Sequence, residues 1–186
     1  MKIILGSASP RRAELLGQMG RTFEIRVANT NEHFPESLAA EEVAGFISKQ
    51  KATALLPSLH SNEILICADT VVIVDGNILG KPLNSWDAQQ MLQRLSGKKH
   101  KVITGVTVAT LFKSSTFSET TLVEFAPLSE SEIHFYIERY QPFDKAGAYG
   151  IQEWMGMIGI TTIQGSYTNV MGLPTQKLYQ ELKKWE

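Results

Sequence analysis

An aspartate stands where the interior of a strand should be. In Ile64-Leu-Ile-Cys-Ala-Asp-Thr-Val-Val-Ile-Val74 a nearly continuous β-branched run predicts a central strand buried on both faces, yet it holds Asp69. An unpaired carboxylate in such a place is heavily penalised by lost hydration. Asp69 therefore has a partner, sits at a strand end facing a cleft, or serves a site as a general base or metal ligand. Lys51 is the matching anomaly: Val43, Ile47, Lys51 and Leu55 fall on one helical row, so a lysine occupies an otherwise core-facing stripe. It either snorkels to water or pairs with a buried acid. Lys81, framed by Gly80 and Pro82 in a tight bend, is either a surface lysine or a further cation of the same site.

Ser7-Ala-Ser-Pro-Arg-Arg12 brings two hydroxyls and two guanidiniums to a strand-to-helix turn. Unsatisfied backbone N–H groups and the helix dipole favour an anion there, so the segment suits a phosphate. It is neither a P-loop nor the dinucleotide-binding glycine fingerprint. Glu32, on the polar loop Asn29-Thr-Asn-Glu-His33, offers a second carboxylate to a hard cation such as Mg²⁺. His33, His60, His100 and His134 are isolated, which argues against a zinc site, and Cys67 reads as a small buried hydrophobe.

These residues need elements to position them. Lys2–Leu5, the Gly6–Pro10 turn and the Leu15, Leu16, Met19 spacing predict strand, turn and helix, with Ser9 as N-cap, Pro10 at the first helical position and Gly20 as the stop. Phe23–Val27 predicts a second strand and Glu41–Leu56 the helix that carries Lys51. Asp75-Gly-Asn77 predicts a hairpin into Ile78-Leu79, followed by a helix over Ser85–Leu95. Lys101–Phe112 and Thr116–Phe125 read as an antiparallel pair, and Ser129 with Glu132 as a capping box opening a helix to Tyr140. The glycine-rich stretch 142–174 is the least regular, with one strand at Ile158–Ile163, before a closing amphipathic helix over Leu173–Trp185.

This pattern predicts an α/β or α+β fold with a long mixed sheet in one domain over residues 1–186, although two lobes around a cleft are also compatible. Eighteen Lys and Arg against nineteen Asp and Glu leave a formal net charge of -1, so no global field draws the chain to a nucleic-acid polymer or an anionic membrane. No apolar run approaches the roughly 20 residues of a membrane span, and a single cysteine cannot make an internal disulfide. The cytoplasm is the expected compartment, and any phosphate the chain binds must be met by a local site.

The order of these segments resembles the Maf family of nucleoside triphosphate pyrophosphatases, also described as septum-formation-like proteins. The resemblance runs through Ser7-Ala-Ser-Pro-Arg-Arg-Ala-Glu-Leu-Leu16, Lys49-Gln-Lys-Ala52, Ala68-Asp-Thr-Val-Val72, Leu79-Gly-Lys-Pro82 and Met91-Leu-Gln-Arg-Leu-Ser-Gly97. It continues through His100-Lys-Val-Ile-Thr-Gly-Val106, Asp144-Lys-Ala-Gly-Ala-Tyr-Gly-Ile-Gln152 and Gly165-Ser-Tyr-Thr-Asn-Val-Met-Gly-Leu-Pro174. It implies an elongated, inosine-triphosphatase-like α/β fold with a central cleft, and cleavage between the α and β phosphates of a nucleoside triphosphate with Mg²⁺ or Mn²⁺. By resemblance Asp69 is the general base. Ser7, Arg12, Glu32, Lys51 and Lys81 line the triphosphate and metal region, and Lys145 joins them as a substrate contact. Arg11, Thr70 and Gln152 match the branch acting on dTTP and UTP rather than the sister branch acting on 7-methyl-GTP. The Gln152 amide, with a donor and an acceptor, suits the O4/N3–H edge of uracil and thymine.

The resemblance also implies a homodimer. Two places depart from the family pattern: Asn31, where an acid is frequent, and Glu153-Trp154-Met155, where a glycine commonly follows the glutamine. Two other functional readings remain at this level: a nucleotide-binding regulator of division that does not turn its ligand over, and a pyrophosphatase for modified nucleotides.

Overall fold

A computed structural model describes residues 1–185. β1 (Lys2–Leu5) leads through the turn at Gly6–Ser9 into α1 (Pro10–Gln18), and β2 (Phe23–Ile25) returns parallel to β1. Pro10 opens α1 and Gly20, at φ 74°, ends it, as the sequence predicts. Ser9 holds the N-cap position without a side-chain cap bond; its own N–H instead donates to Ser7 Oγ at 3.2 Å. α2 (Val43–Leu55) is flanked by 3₁₀ turns at Ala40–Glu42 and Leu56–Ser58, and β3 (Glu63–Val74) pairs parallel with β1. β4 (Asn77–Leu79) forms the expected hairpin with β3, then comes α3 (Ser85–Leu95). α3 is capped by Asn84, whose side chain accepts from the Asp87 N–H at 2.9 Å.

β5 (Lys99–Ala109) and β6 (Ser114–Phe125) are sheet neighbours joined by a turn in which Thr110 N–H donates to the Lys113 carbonyl at 2.9 Å. The Ser129–Glu132 capping box opens α4 (Glu130–Tyr140). The stretch expected to be irregular holds more structure than its glycines suggest: a 3₁₀ turn at Ala146–Ala148, α5 (Trp154–Gly159), β7 (Ile160–Gln164) and α6 (Tyr167–Met171). These helices are too short to display an apolar period, which is why the sequence conceals them. α7 (Thr175–Leu182) closes the described chain. Among the described residues seven strands form one mixed sheet in the order β2-β1-β3-β5-β6-β7, with β4 on β3. The strands that end this order, β2 and β7, are three and five residues long, and β7 pairs with the Leu122–Phe125 end of β6.

Two compact units share β3, β5 and β6. The first comprises Met1–Thr70, Thr104–Glu119 and the segment from Gly172. Its core includes Ile4, Ala52, Leu55, Leu59, Leu65 and Cys67. Burial pushes the Cys67 thiol up to about 12, so it stays protonated and acts as a packing group. α2 lies against β5 at Gly105, where a Cβ would fall 2.3 Å from the Ala44 carbonyl carbon and the Gly45 nitrogen. Beside this contact, Ser48 Oγ bonds the Gly45 carbonyl at 2.8 Å and Thr107 Oγ1 at 2.9 Å, and Thr107 bonds Thr116 at 2.9 Å. A helix this close to a sheet admits no side chain at the crossing and must satisfy its buried polar groups there.

The second unit comprises Val71–Ile103 and Thr120–Met171. Its core joins Val72 and Val74 of β3 with Leu92 and Leu95 of α3, Ile133, Tyr136 and Ile137 of α4, and Phe125. His100 is buried edge-on to Phe125 and Tyr149, with Nε2 2.7 Å from the Tyr149 hydroxyl. Burial pulls its pKa down to about 4.

Gly105→Ala should cost about 2 kcal/mol or more of unfolding free energy, because the opposing atoms are backbone and cannot rotate aside; urea denaturation measures this. His100 should make the fold acid-sensitive. The unfolded chain binds a proton near the ordinary imidazole pKa of 6.5 and the folded one only near 4, so this contribution is fully present above the first value and declines towards the second. The loss should be on the order of 3 kcal/mol, and His100→Phe should flatten the decline in that window.

Candidate active site

Asp69 lies near the end of the β3 segment that belongs to the first unit, with its side chain 13% exposed. Lys51, on α2, donates to Asp69 Oδ1 at 2.7 Å and reaches Glu32 Oε1 at 2.8 Å. Both sequence anomalies thus resolve together: the lysine in the apolar stripe is the partner of the aspartate in the apolar strand. The Asp69 bond is the stronger of the two. Its partners are 16% and 13% exposed, whereas Glu32 at 46% is screened by water.

Arg12, at the start of α1, completes the cluster. Its Nε donates to the Gly172 carbonyl at 2.8 Å, Nη1 to Ser7 Oγ at 3.2 Å and Nη2 to Thr70 Oγ1 at 3.0 Å. All three acceptors are neutral. Burial pulls the guanidinium below its ordinary pKa, while the Asp69 charge, the largest opposing influence, pulls it back up. Thr70 also shares a 2.9 Å hydrogen bond with Thr104 on β5. Ser7 is buried and accepts from both Arg12 and the Ser9 N–H, which leaves its own O–H to donate.

Ser7, Arg12, Glu32, Lys51, Asp69 and Thr70 therefore gather in one unit, together with Arg11 on the first turn of α1. Lys81, Lys145 and Gln152 belong to the second unit. Lys81 is exposed in a bend anchored where the Gly80 carbonyl accepts the Gly147 N–H at 2.9 Å. Lys145 is buried, with its ammonium 2.8 Å from Asp144 Oδ1 and 3.1 Å from Glu153 Oε1. Gln152 is exposed on a turn. Sequence reasoning missed Thr104 and the Gly172 carbonyl. Thr104 is a hydroxyl within the apolar strand β5, the same kind of anomaly that exposes Asp69; a carbonyl has no sequence signal.

Among the described residues no group of three or more His, Cys, Asp or Glu side chains could hold a metal ion. Glu32 and Asp69 alone converge, on Lys51. Two carboxylates suit a hard cation that keeps waters and arrives with phosphate ligands; they do not make an all-protein cage.

Comparison with known proteins places the chain. It shares its fold with the Staphylococcus aureus Ham1 protein, at TM-score 0.58 and 14% identity over 100% of both chains. A HAM1 protein from Coxiella burnetii aligns at TM-score 0.50 and 15% identity over 99% of each. Residues 2–185 match the Maf-like protein family, and the chain belongs to the Maf family. A Phocaeicola vulgatus protein named dTTP/UTP pyrophosphatase is 53% identical over 98% of this chain and 95% of its own. A Bacteroides fragilis protein of the same name is 49% identical over the same shares. No helix among the described residues is long and apolar enough to cross a membrane.

Arg12→Lys keeps the charge but cannot reach three divergent acceptors. It should lower unfolding free energy by about 2 kcal/mol, read by urea denaturation; an unchanged midpoint would show that the three bonds do not hold the α1 turn in place.

Proposed function

We propose that the chain hydrolyses nucleoside triphosphates, dTTP and UTP foremost, to the monophosphate and pyrophosphate. The observation that carries this is a nearly buried carboxylate, Asp69, fixed by one lysine beside an arginine bonded only to neutral acceptors. The relatives named dTTP/UTP pyrophosphatase support the choice of substrate. Asp69 orients and deprotonates the attacking water through the oxygen that Lys51 does not take. Lys51 holds that carboxylate in place. Arg12, the Ser7 hydroxyl and the N–H groups opening α1 meet phosphate oxygens, where negative charge develops as the anhydride breaks. Lys81, exposed in its anchored bend, takes a further phosphate oxygen.

Glu32 and Asp69 would hold a divalent cation, which when bound supplies Lewis-acid polarisation of phosphate oxygens. Arg11, Thr70 and Gln152 select the pyrimidine. The Thr70 hydroxyl, already shared by Arg12 and Thr104, does so from a fixed position. We further propose a single functional domain that acts as a homodimer in the cytosol on a free nucleotide rather than a polymer, in keeping with a formal net charge of -1.

The test is pyrophosphate release from dTTP, UTP, CTP, GTP and 7-methyl-GTP, with and without Mg²⁺ or Mn²⁺. Metal-dependent turnover of dTTP and UTP is expected, falling about 1,000-fold in Asp69→Asn. Turnover of 7-methyl-GTP in their place would overturn the base assignment. Tight nucleotide binding without turnover would make the protein a sensor.

A further inference from the structure

The second unit holds a polar network that the proposed chemistry leaves unused, centred on Tyr136 of α4. The Gly150 carbonyl accepts the Glu153 N–H at 3.1 Å, closing a four-residue turn with Ile151 and Gln152 at its centre. Ile151 is buried in the core and Gln152 is exposed. Tyr136, fully buried, accepts the Gly150 N–H at 2.9 Å through its hydroxyl and donates that O–H to Glu153 Oε2. One phenol therefore holds both ends of the turn that presents Gln152. Burial, reinforced by the Glu153 carboxylate, raises the pKa of the phenol, so it remains a donor.

The second oxygen of Glu153 takes the Lys145 ammonium at 3.1 Å, and Asp144 takes the same ammonium at 2.8 Å. Lys145 is thus tied to two carboxylates, and its side chain is 9% exposed. That is poor provision for a phosphate ligand and good provision for a brace. The packing leaves little slack: a Cβ on Gly150 would lie 2.8 Å from Glu153 Cδ and 3.1 Å from Lys145 Cε.

We infer that Tyr136 and Glu153 are positioning residues for base selection, fixing the turn so that the Gln152 amide is offered in one orientation, with Lys145 as their brace rather than a phosphate contact. This rests on the proposed reading of Gln152 as a base contact. Orientation matters because uracil and thymine present an acceptor at O4 beside a donor at N3, whereas cytosine presents the reverse. An amide held one way favours the first pair, and an amide free to flip serves both. Loosening the turn therefore costs selectivity as well as affinity.

The experiment is steady-state pyrophosphate release from dTTP, UTP and CTP by wild type, Tyr136→Phe, Glu153→Gln, Gln152→Ala and the double variant Tyr136→Phe/Gln152→Ala. Tyr136→Phe should raise KM for dTTP and UTP about tenfold with little change for CTP, so that the preference for dTTP falls by the same factor. The double variant should be no less selective than Gln152→Ala alone, because both changes act through one side chain. Glu153→Gln should move in the same direction. If Tyr136→Phe does not fold, as judged by its thermal transition, Glu153→Gln carries the test on the same criteria. Retained preference in Tyr136→Phe and Glu153→Gln, with loss in Gln152→Ala, would overturn the inference and leave the proposed function standing. An equal loss on all three substrates would return Lys145 to the phosphates and also overturn it. Unchanged preference in Gln152→Ala would sink the base assignment, and this inference with it.

Discussion

The structure turns on one ion pair. Asp69 sits on a strand that packs as core on nearly every side, and there Lys51 meets its side chain at 2.7 Å. Removing Lys51 leaves the nearly buried Asp69 without its hydrogen-bonded cation, a costly arrangement, whereas removing Asp69 leaves Lys51 paired with the more exposed Glu32. The pair also joins α2 to β3, so the helix and the sheet must keep a fixed separation for the charges to remain in contact. The crossing at Gly105 and the hydroxyls of Ser48, Thr107 and Thr116 fulfil that requirement. A feature that reads as ordinary helix packing is thereby part of the chemistry.

Arg12 meets a related constraint differently. Its three bonds end on a carbonyl and two hydroxyls, so its charge is offset only at a distance by Asp69 and Glu32. The guanidinium is held rigidly while its field stays largely available. Preorganised charge of this kind costs no rearrangement when negative charge develops nearby.

Much of this was legible in the sequence, for identifiable reasons. β3 announced itself by a long β-branched run, and Asp69 and Lys51 by breaking apolar patterns whose regularity made the exceptions visible. α4 had a cap that sequence states directly, the Ser129–Glu132 box, whereas the Asn84 cap of α3 went unread. What escaped notice depends on tertiary closure. Ser9 occupies the N-cap of α1 without a side-chain cap bond, while its backbone N–H donates to Ser7. The short helices between residues 142 and 174 lack the length to show a period. The Tyr136–Glu153 bond joins residues seventeen apart whose proximity depends on the whole second unit. Glu153 was visible only as an oddity in a motif; its partners were not.

One end of the sheet carries a consequence for self-association. At the β2 end the last strand offers three residues, a short open ladder for another chain to extend. β2 is further dressed with charge: Glu24 binds Lys2 at 2.6 Å and Arg26 at 3.0 Å, while Arg26 is also tied to Glu63. Stitching copies together strand by strand, the common route to fibrils, thus meets only a short and charged template at this margin. A pairing of two copies at this margin is left to side-chain surfaces, where sequence can choose the partner.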